Sequence, residues 1–143
     1  MEHDAAAQIS DLLTRTHRAL HRHAGRELDT LGVTPGQLRV LRVLDRADGP
    51  LRISVLARRL DVVPRSATSV VDDLEAGGFV HRRPDPSDRR ATLVALTRRG
   101  DDALRELRAR RQAGVAQLLD RLDEREQAEL ARLLTRLVGP EPG

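Results

Sequence analysis

The sequence predicts a mainly α-helical chain with one small β-hairpin, an α+β arrangement within 143 residues. Three observations predict it. Apolar residues recur at helical spacing in successive segments along almost the whole chain. Only two short runs, Phe79 to Arg83 and Ala91 to Thr97, are rich in strand-forming residues, and they flank "RRPDPSDRR" at residues 82–90. Finally, helix-starting residues stand where the helical runs begin, at Thr34, Thr97 and Asp123.

The length suits a single domain with a real core. Cysteine is absent, which excludes disulfides, thiolate metal sites and thiol redox sensing. No apolar run is long enough to span a membrane, and no apolar secretory segment is visible near the N-terminus. The expectation is a soluble, cytoplasmic chain.

Taken in order, the first helix covers Gln8 to Leu31, with Ile9, Leu12, Leu13, Leu20, Ala24, Leu28 and Leu31 on one stripe. Gly32 breaks it. Thr34-Pro35-Gly36-Gln37 opens the second helix: Thr34 as N-cap, Pro35 at the first position, Gln37 completing a capping box. Leu38, Val40, Leu41, Val43 and Leu44 give that helix its apolar side, and Ala47 to Pro50 end it.

A short third helix takes in Val55, Leu56 and Leu60, with Ala57 small enough for a second helix to cross closely. Asp61-Val62-Val63 is a tight connector, and Pro64 opens a fourth helix that Gly77-Gly78 stops. In it Ala67, Val70, Val71 and Leu74 face inward, while Arg65, Ser66, Thr68, Ser69 and Asp72 face outward. After the hairpin, Thr97 caps a long helix with Leu104, Leu107, Val115, Leu118 and Leu122 on one seam. Asp123 to Glu126 form a second capping box, opening a helix with Leu130, Leu133, Leu134 and Leu137. Residues 139–143 read as a frayed tail.

A short helix, a three-residue turn and a second helix with a small polar outer face make helix-turn-helix geometry. Followed directly by a hairpin, that is a winged helix-turn-helix. The outer face suits DNA: arginine forks onto guanine O6 and N7, and Ser or Thr address base edges or phosphates. In this arrangement "RRPDPSDRR" is the wing tip, carrying Arg82, Arg83, Arg89 and Arg90. Pro84 and Pro86 fix φ and limit the entropy lost on docking. Asp88 is expected to pair with a neighbouring guanidinium and aim it. All 25 basic residues are arginine, and the net charge of +3 is unevenly spread. Residues 51–99 carry ten arginines against six acids, as expected if the middle third meets a polyanion.

From about residue 8 to 138 these segments resemble the MarR (multiple antibiotic resistance regulator) family of bacterial transcription factors. The most specific part is Asp88-Arg89-Arg90 leading into "LVALTRRG" at Leu93 to Gly100, similar to the family's wing motif. "LARRLDVVPRSATSVVDDLEAGGFV" resembles its helix-turn-helix. The resemblance implies a DNA-binding lobe over 34–99, dimerisation helices over 5–31 and 100–138, and a recognition helix from Pro64 to Glu75. It implies Arg90 as the minor-groove arginine, oriented by Asp88. It further implies a homodimer on double-stranded DNA, with two recognition helices in major grooves on the order of 34 Å apart on a pseudo-palindromic operator. The expected function is that of a ligand-responsive repressor without a cofactor, released by a small, often aromatic anion bound between the dimerisation helices and the DNA-binding lobe.

Two departures stand out. Val63 occupies the position where the family commonly has a Ser or Thr N-cap, and the cysteines of the peroxide-sensing branch are missing. Tyr and Trp are absent and Phe79 is the only aromatic, so an effector would find charge at Arg15, Arg18 and Arg22 more readily than a stacking partner. Two other readings compete. One is a non-specific architectural DNA-binding protein. The other is a metal-responsive regulator using His17 and His21, spaced i, i+4 beside His23. Enzyme chemistry has no visible seat: no phosphate-binding glycine loop, nucleophile elbow or cysteine is present.

Overall fold

A computed structural model of the chain describes residues 2–139, with side chains described at 4–22 and 28–139. The helices and strands follow in the order α1 (Glu2–Leu31), α2 (Pro35–Asp45), β1 (Leu51–Arg52), α3 (Ile53–Leu60), α4 (Pro64–Ala76), β2 (Val80–Asp85), β3 (Asp88–Leu96), α5 (Arg98–Leu119) and α6 (Glu124–Val138). The side chains of His23 and Ala24, and residues 140–143 of the expected tail, lie outside the described residues.

The capping chemistry sets the helix starts. At α2 the Thr34 hydroxyl accepts from the Gln37 amide at 3.2 Å, and the Gln37 side chain accepts from the Thr34 amide at 2.9 Å. Asp123 and Glu126 make the same reciprocal pair at α6, at 2.8 and 2.9 Å. Val63 precedes α4 in an extended conformation with no side-chain cap, as a valine must. Asp61 closes α3 at φ 55°, a left-handed conformation that a short polar side chain tolerates better than a branched one.

Several boundaries differ from the sequence reading. The first helix begins at Glu2, six residues earlier than its apolar stripe suggests, because polar residues extend a helix without marking it. Helix α4, expected from Pro64 to Glu75, runs one residue further, to Ala76. The long helix α5 ends at Leu119, so Leu122 lies in the connector, where its amide donates to the Leu119 carbonyl at 2.9 Å.

The hairpin differs most. "RRPDPSDRR" is largely strand, and the reversal is confined to Pro86 and Ser87. Asp85-Pro86-Ser87-Asp88 carries Asp at the first and Pro at the second position of a β-turn, which favours a tight reversal. Pro84 fits within β2 because the sheet order β1-β3-β2 leaves β2 at an edge, where a missing N–H breaks no internal ladder. The sheet also gains a strand that the sequence did not mark. β1 pairs Leu51 with Val94 and Arg52 with Leu93, and two residues are too few to show alternation.

The core gathers on this sheet and the helix-turn-helix. Leu41, Leu56, Val71 and Val94 are fully buried, with Leu74, Phe79, Val80 and Leu104 around them. Helix α5 leaves the hairpin through a close crossing. The Thr97 hydroxyl donates to the Gly78 carbonyl at 2.6 Å, and a Cβ at Gly100 would lie 2.2 Å from the Phe79 carbonyl oxygen. Only glycine fits there. The C-terminal end of the α1 stripe, Leu28 and Leu31, packs against the core, but Ile9, Leu12 and Leu13 on α1, and Leu133, Leu134 and Leu137 on α6, are exposed, and α6 buries no residue at all.

Candidate nucleic-acid interface

Helix α4 and the wing lie side by side, and each predicted site residue finds a distinct environment. On α4, Ala67, Val71 and Leu74 are buried and Val70 half-buried, which holds the opposite face outward. Arg65, Ser66 and Ser69 are exposed on that face. Thr68 is half-buried, its hydroxyl donating to the Pro64 carbonyl at 2.9 Å, as Thr does inside helices. Arg83, Arg89 and Arg90 are exposed along the wing. Among the described residues, the guanidiniums of Arg65, Arg83, Arg89 and Arg90 have no partner within the chain.

Arg82 and Asp72 are placed differently. The Arg82 guanidinium donates to Asp72 at 2.6 Å and to Glu75 at 2.9 Å, and its amide donates to Glu75 at 2.9 Å. A further donation reaches the Thr68 carbonyl at 3.5 Å. Its side chain is only 22 % exposed. Burial works against the charge, yet the hydrogen bonds to Asp72 and Glu75 hold the Arg82 pKa above its ordinary value. Arg82 is thus a strut tying β2 to α4, with both terminal nitrogens of its guanidinium engaged.

At the wing tip the ladder breaks register. Asp85 opposes Asp88 and Pro84 opposes Thr92, so Arg89, Arg90 and Ala91 face no residue on β2. A bulge of this kind re-aims side chains at the end of a sheet. Asp88 supports it, but not by the expected ion pair. Its carboxylate accepts from the Arg90 backbone amide at 3.0 Å, and no guanidinium reaches it among the described residues. The short aspartate satisfies its own turn before a flexible arginine can compete.

At the wing turn the acid that holds a guanidinium is Asp85, which no sequence motif singles out. The Arg52 side chain reaches it at 2.6 Å and also donates to the Ser87 hydroxyl at 3.2 Å. The Ser87 amide and hydroxyl donate to the other Asp85 oxygen at 2.9 and 2.7 Å. These two Ser87 bonds first, and Arg52 after them, outweigh burial and hold the Asp85 carboxyl at a pKa of about 2. The Asp-Pro-Ser spacing carries the turn in the sequence. Nothing local marks Arg52, which is 33 residues away.

The expected effector residues lie on α1. Arg15 pairs with Asp11 at 3.6 Å with both side chains exposed, and Arg18 is exposed. Arg22 helps line an open cavity of about 670 Å³ with His21, Leu28, Asp29, Val33 and Pro35, between the end of α1 and the start of α2. The His17 and His21 rings lie 4.1 Å apart, tilted at 58°. Among the described residues no three ligands gather to hold a metal ion. No described helix is long and apolar enough to cross a membrane.

Comparison with known proteins agrees with this geometry. The MarR family model matches residues 31–91. The HTH-type transcriptional repressor MdtR of Bacillus subtilis is 36% identical over 110 residues, covering 77% of this chain and 70% of that protein. The HTH-type transcriptional repressor Rv2887 of Mycobacterium tuberculosis is 32% identical over 131 residues, covering 92% and 94%. The crystal structure of YusO from Bacillus subtilis superposes with a TM-score of 0.84 at 30% identity, covering 94% of this chain and 95% of that one.

Proposed function

This chain belongs to the MarR family and is a DNA-binding transcriptional regulator, and from that premise we propose that it works as a homodimeric, ligand-responsive repressor on a pseudo-palindromic operator. The observation that carries the reading is the pairing of two exposed features: the polar outer face of α4 and the out-of-register arginines of the wing.

In this reading α4 enters the major groove. Arg65 forks onto a guanine or a phosphate, and Ser66, Thr68 and Ser69 address base edges. The wing lies along the adjacent minor groove, where Arg90, with Arg89 and Arg83 beside it, meets the concentrated negative potential of narrow A·T-rich stretches. Arg82 and Asp72 act between the two elements, keeping helix and wing at one spacing. The open stripes of α1 and α6 supply the dimer contact, since Leu133, Leu134 and Leu137 would otherwise remain in water.

For the effector we propose the cavity beside Arg22, with a small carboxylate as ligand. It sits where α1 meets α2, so occupancy there would alter how the DNA-binding lobe is carried on the dimer.

Selection from random duplexes at physiological salt tests the reading. The expected product is a two-fold symmetric site that resists competition by bulk DNA. Binding that competitor DNA abolishes would instead establish a non-specific architectural protein.

A further inference from the structure

We propose that Arg52 is a positioning residue for DNA binding: its guanidinium clasps Asp85 and Ser87 and thereby fixes the wing turn that presents Arg89 and Arg90. The inference rests on the wing's contact with DNA described above, and extends it to a residue outside the wing.

The geometry of the clasp is specific. Arg52 stands on β1, the strand that pairs with β3 on the side away from β2, and its side chain crosses the sheet to the turn. Its Nε and Nη2 both lie 2.6 Å from the same Asp85 oxygen, and Nη2 reaches on to Ser87. Among the described residues Asp85 is the one charged residue that is buried, and it lies at the wing turn, its side chain only 8 % exposed. Its second oxygen is filled by Ser87, so the carboxylate joins the first and third residues of the turn to each other and to Arg52 on β1.

The consequence for DNA follows from what lies beyond the clasp. Arg89, Arg90 and Ala91 have no partner on β2, so the pairs that bracket them, the Asp88 turn bond and the clasp behind it set where their backbone points. A hairpin tip without such support samples many orientations, and that freedom must be given up on docking. Arg52 and Asp85 also cancel in charge. If the pair acted only through its field, removing Asp85 would favour an approaching phosphate. If it acts by holding the turn, removing either partner weakens binding.

Five variants read by fluorescence anisotropy on the selected operator decide it, with dimer mass and thermal midpoint measured alongside. Arg52→Ala is expected to lose about tenfold in affinity, the low end of what a misplaced minor-groove arginine costs. In an Arg90→Ala background the same change is expected to add almost nothing, because there is no longer a guanidinium to aim. Arg52→Lys keeps the charge but not the fork, and is expected to recover little. Asp85→Asn is expected to bind more weakly despite the charge it removes. Full recovery by Arg52→Lys, or independent losses from Arg52 and Arg90, would make Arg52 a phosphate contact and overturn the proposal. So would tighter binding by Asp85→Asn. If Arg90→Ala itself binds like the unaltered protein, the wing reading fails first and the clasp proposal falls with it.

Discussion

At the scale of single residues, the described chain separates arginines that hold the fold from arginines that are free to meet DNA. Arg82 belongs to the first group. Arg82→Ala is expected to weaken operator binding without changing its salt slope, because an internal strut releases no counterion. Were Arg82 bound to a phosphate instead, the same substitution would lower the slope by roughly one unit. Val63 offers a test of opposite sign. Its backbone already holds φ −69° and ψ 148°, as an N-cap requires, but it has no oxygen to accept from α4. Val63→Ser should therefore stabilise the fold by about 1 kcal/mol in denaturant unfolding. Asp85 gives a pH test. Its folded pKa of about 2 lies below the ordinary 3.8, so its contribution is present in full above that ordinary value. The contribution fades as pH falls through the folded pKa. The stability difference between the unaltered protein and Asp85→Asn should hold steady down to about pH 4 to 5 and shrink toward pH 2.

At the scale of elements, α4 has two faces with different duties. Leu74 is buried against the core, so Leu74→Ala should cost about 2–5 kcal/mol. Ser69 is exposed, and Ser69→Ala should change stability by less than about 0.5 kcal/mol while shifting base preference in a selection experiment. Equal stability losses from both would mean the helix is rotated from its described orientation. The crossing of α5 over the hairpin is the other sensitive joint. A methyl at Gly100 would meet the Phe79 backbone, not the end of a flexible side chain, so Gly100→Ala should cost about 1–3 kcal/mol or more. Thermal unfolding of that variant against Gly36→Ala, where the nearest atom is 4.0 Å away, isolates the steric term.

At the scale of the molecule, the terminal helices carry apolar stripes that the single chain covers only in part. The protein is expected to scatter light as twice the chain mass at micromolar concentration. Leu134→Glu combined with Leu137→Glu should shift it toward monomer and abolish operator binding with α4 intact, because one recognition helix cannot span both half-sites. A stable monomer in the unaltered protein would remove the basis for the paired operator. Effector binding is checked by thermal shift with small aromatic carboxylates. Arg22→Ala should erase any shift they produce, whereas Arg15, already paired with Asp11, should matter less.

The sequence by itself determined the helices that announce their ends and their apolar period. Thr34 with Gln37, and Asp123 with Glu126, act within four residues, and the inward face of α4 follows from helical spacing alone. It also determined the helix-turn-helix and hairpin order, since each piece is local. Tertiary structure decided the rest, because the deciding partners are distant in the chain. The strand β1 exists only because β3 lies beside it. The nine-residue "RRPDPSDRR" became mostly strand because pairing across the sheet outweighs the turn-forming character of its two prolines. Arg82 looked like a free wing cation until Asp72 and Glu75, ten and seven residues back, were folded against it. The clasp between Arg52 and Asp85 spans 33 residues and leaves no periodic trace. A guanidinium's role depends on which carboxylate reaches it first, and that is a property of the packed chain.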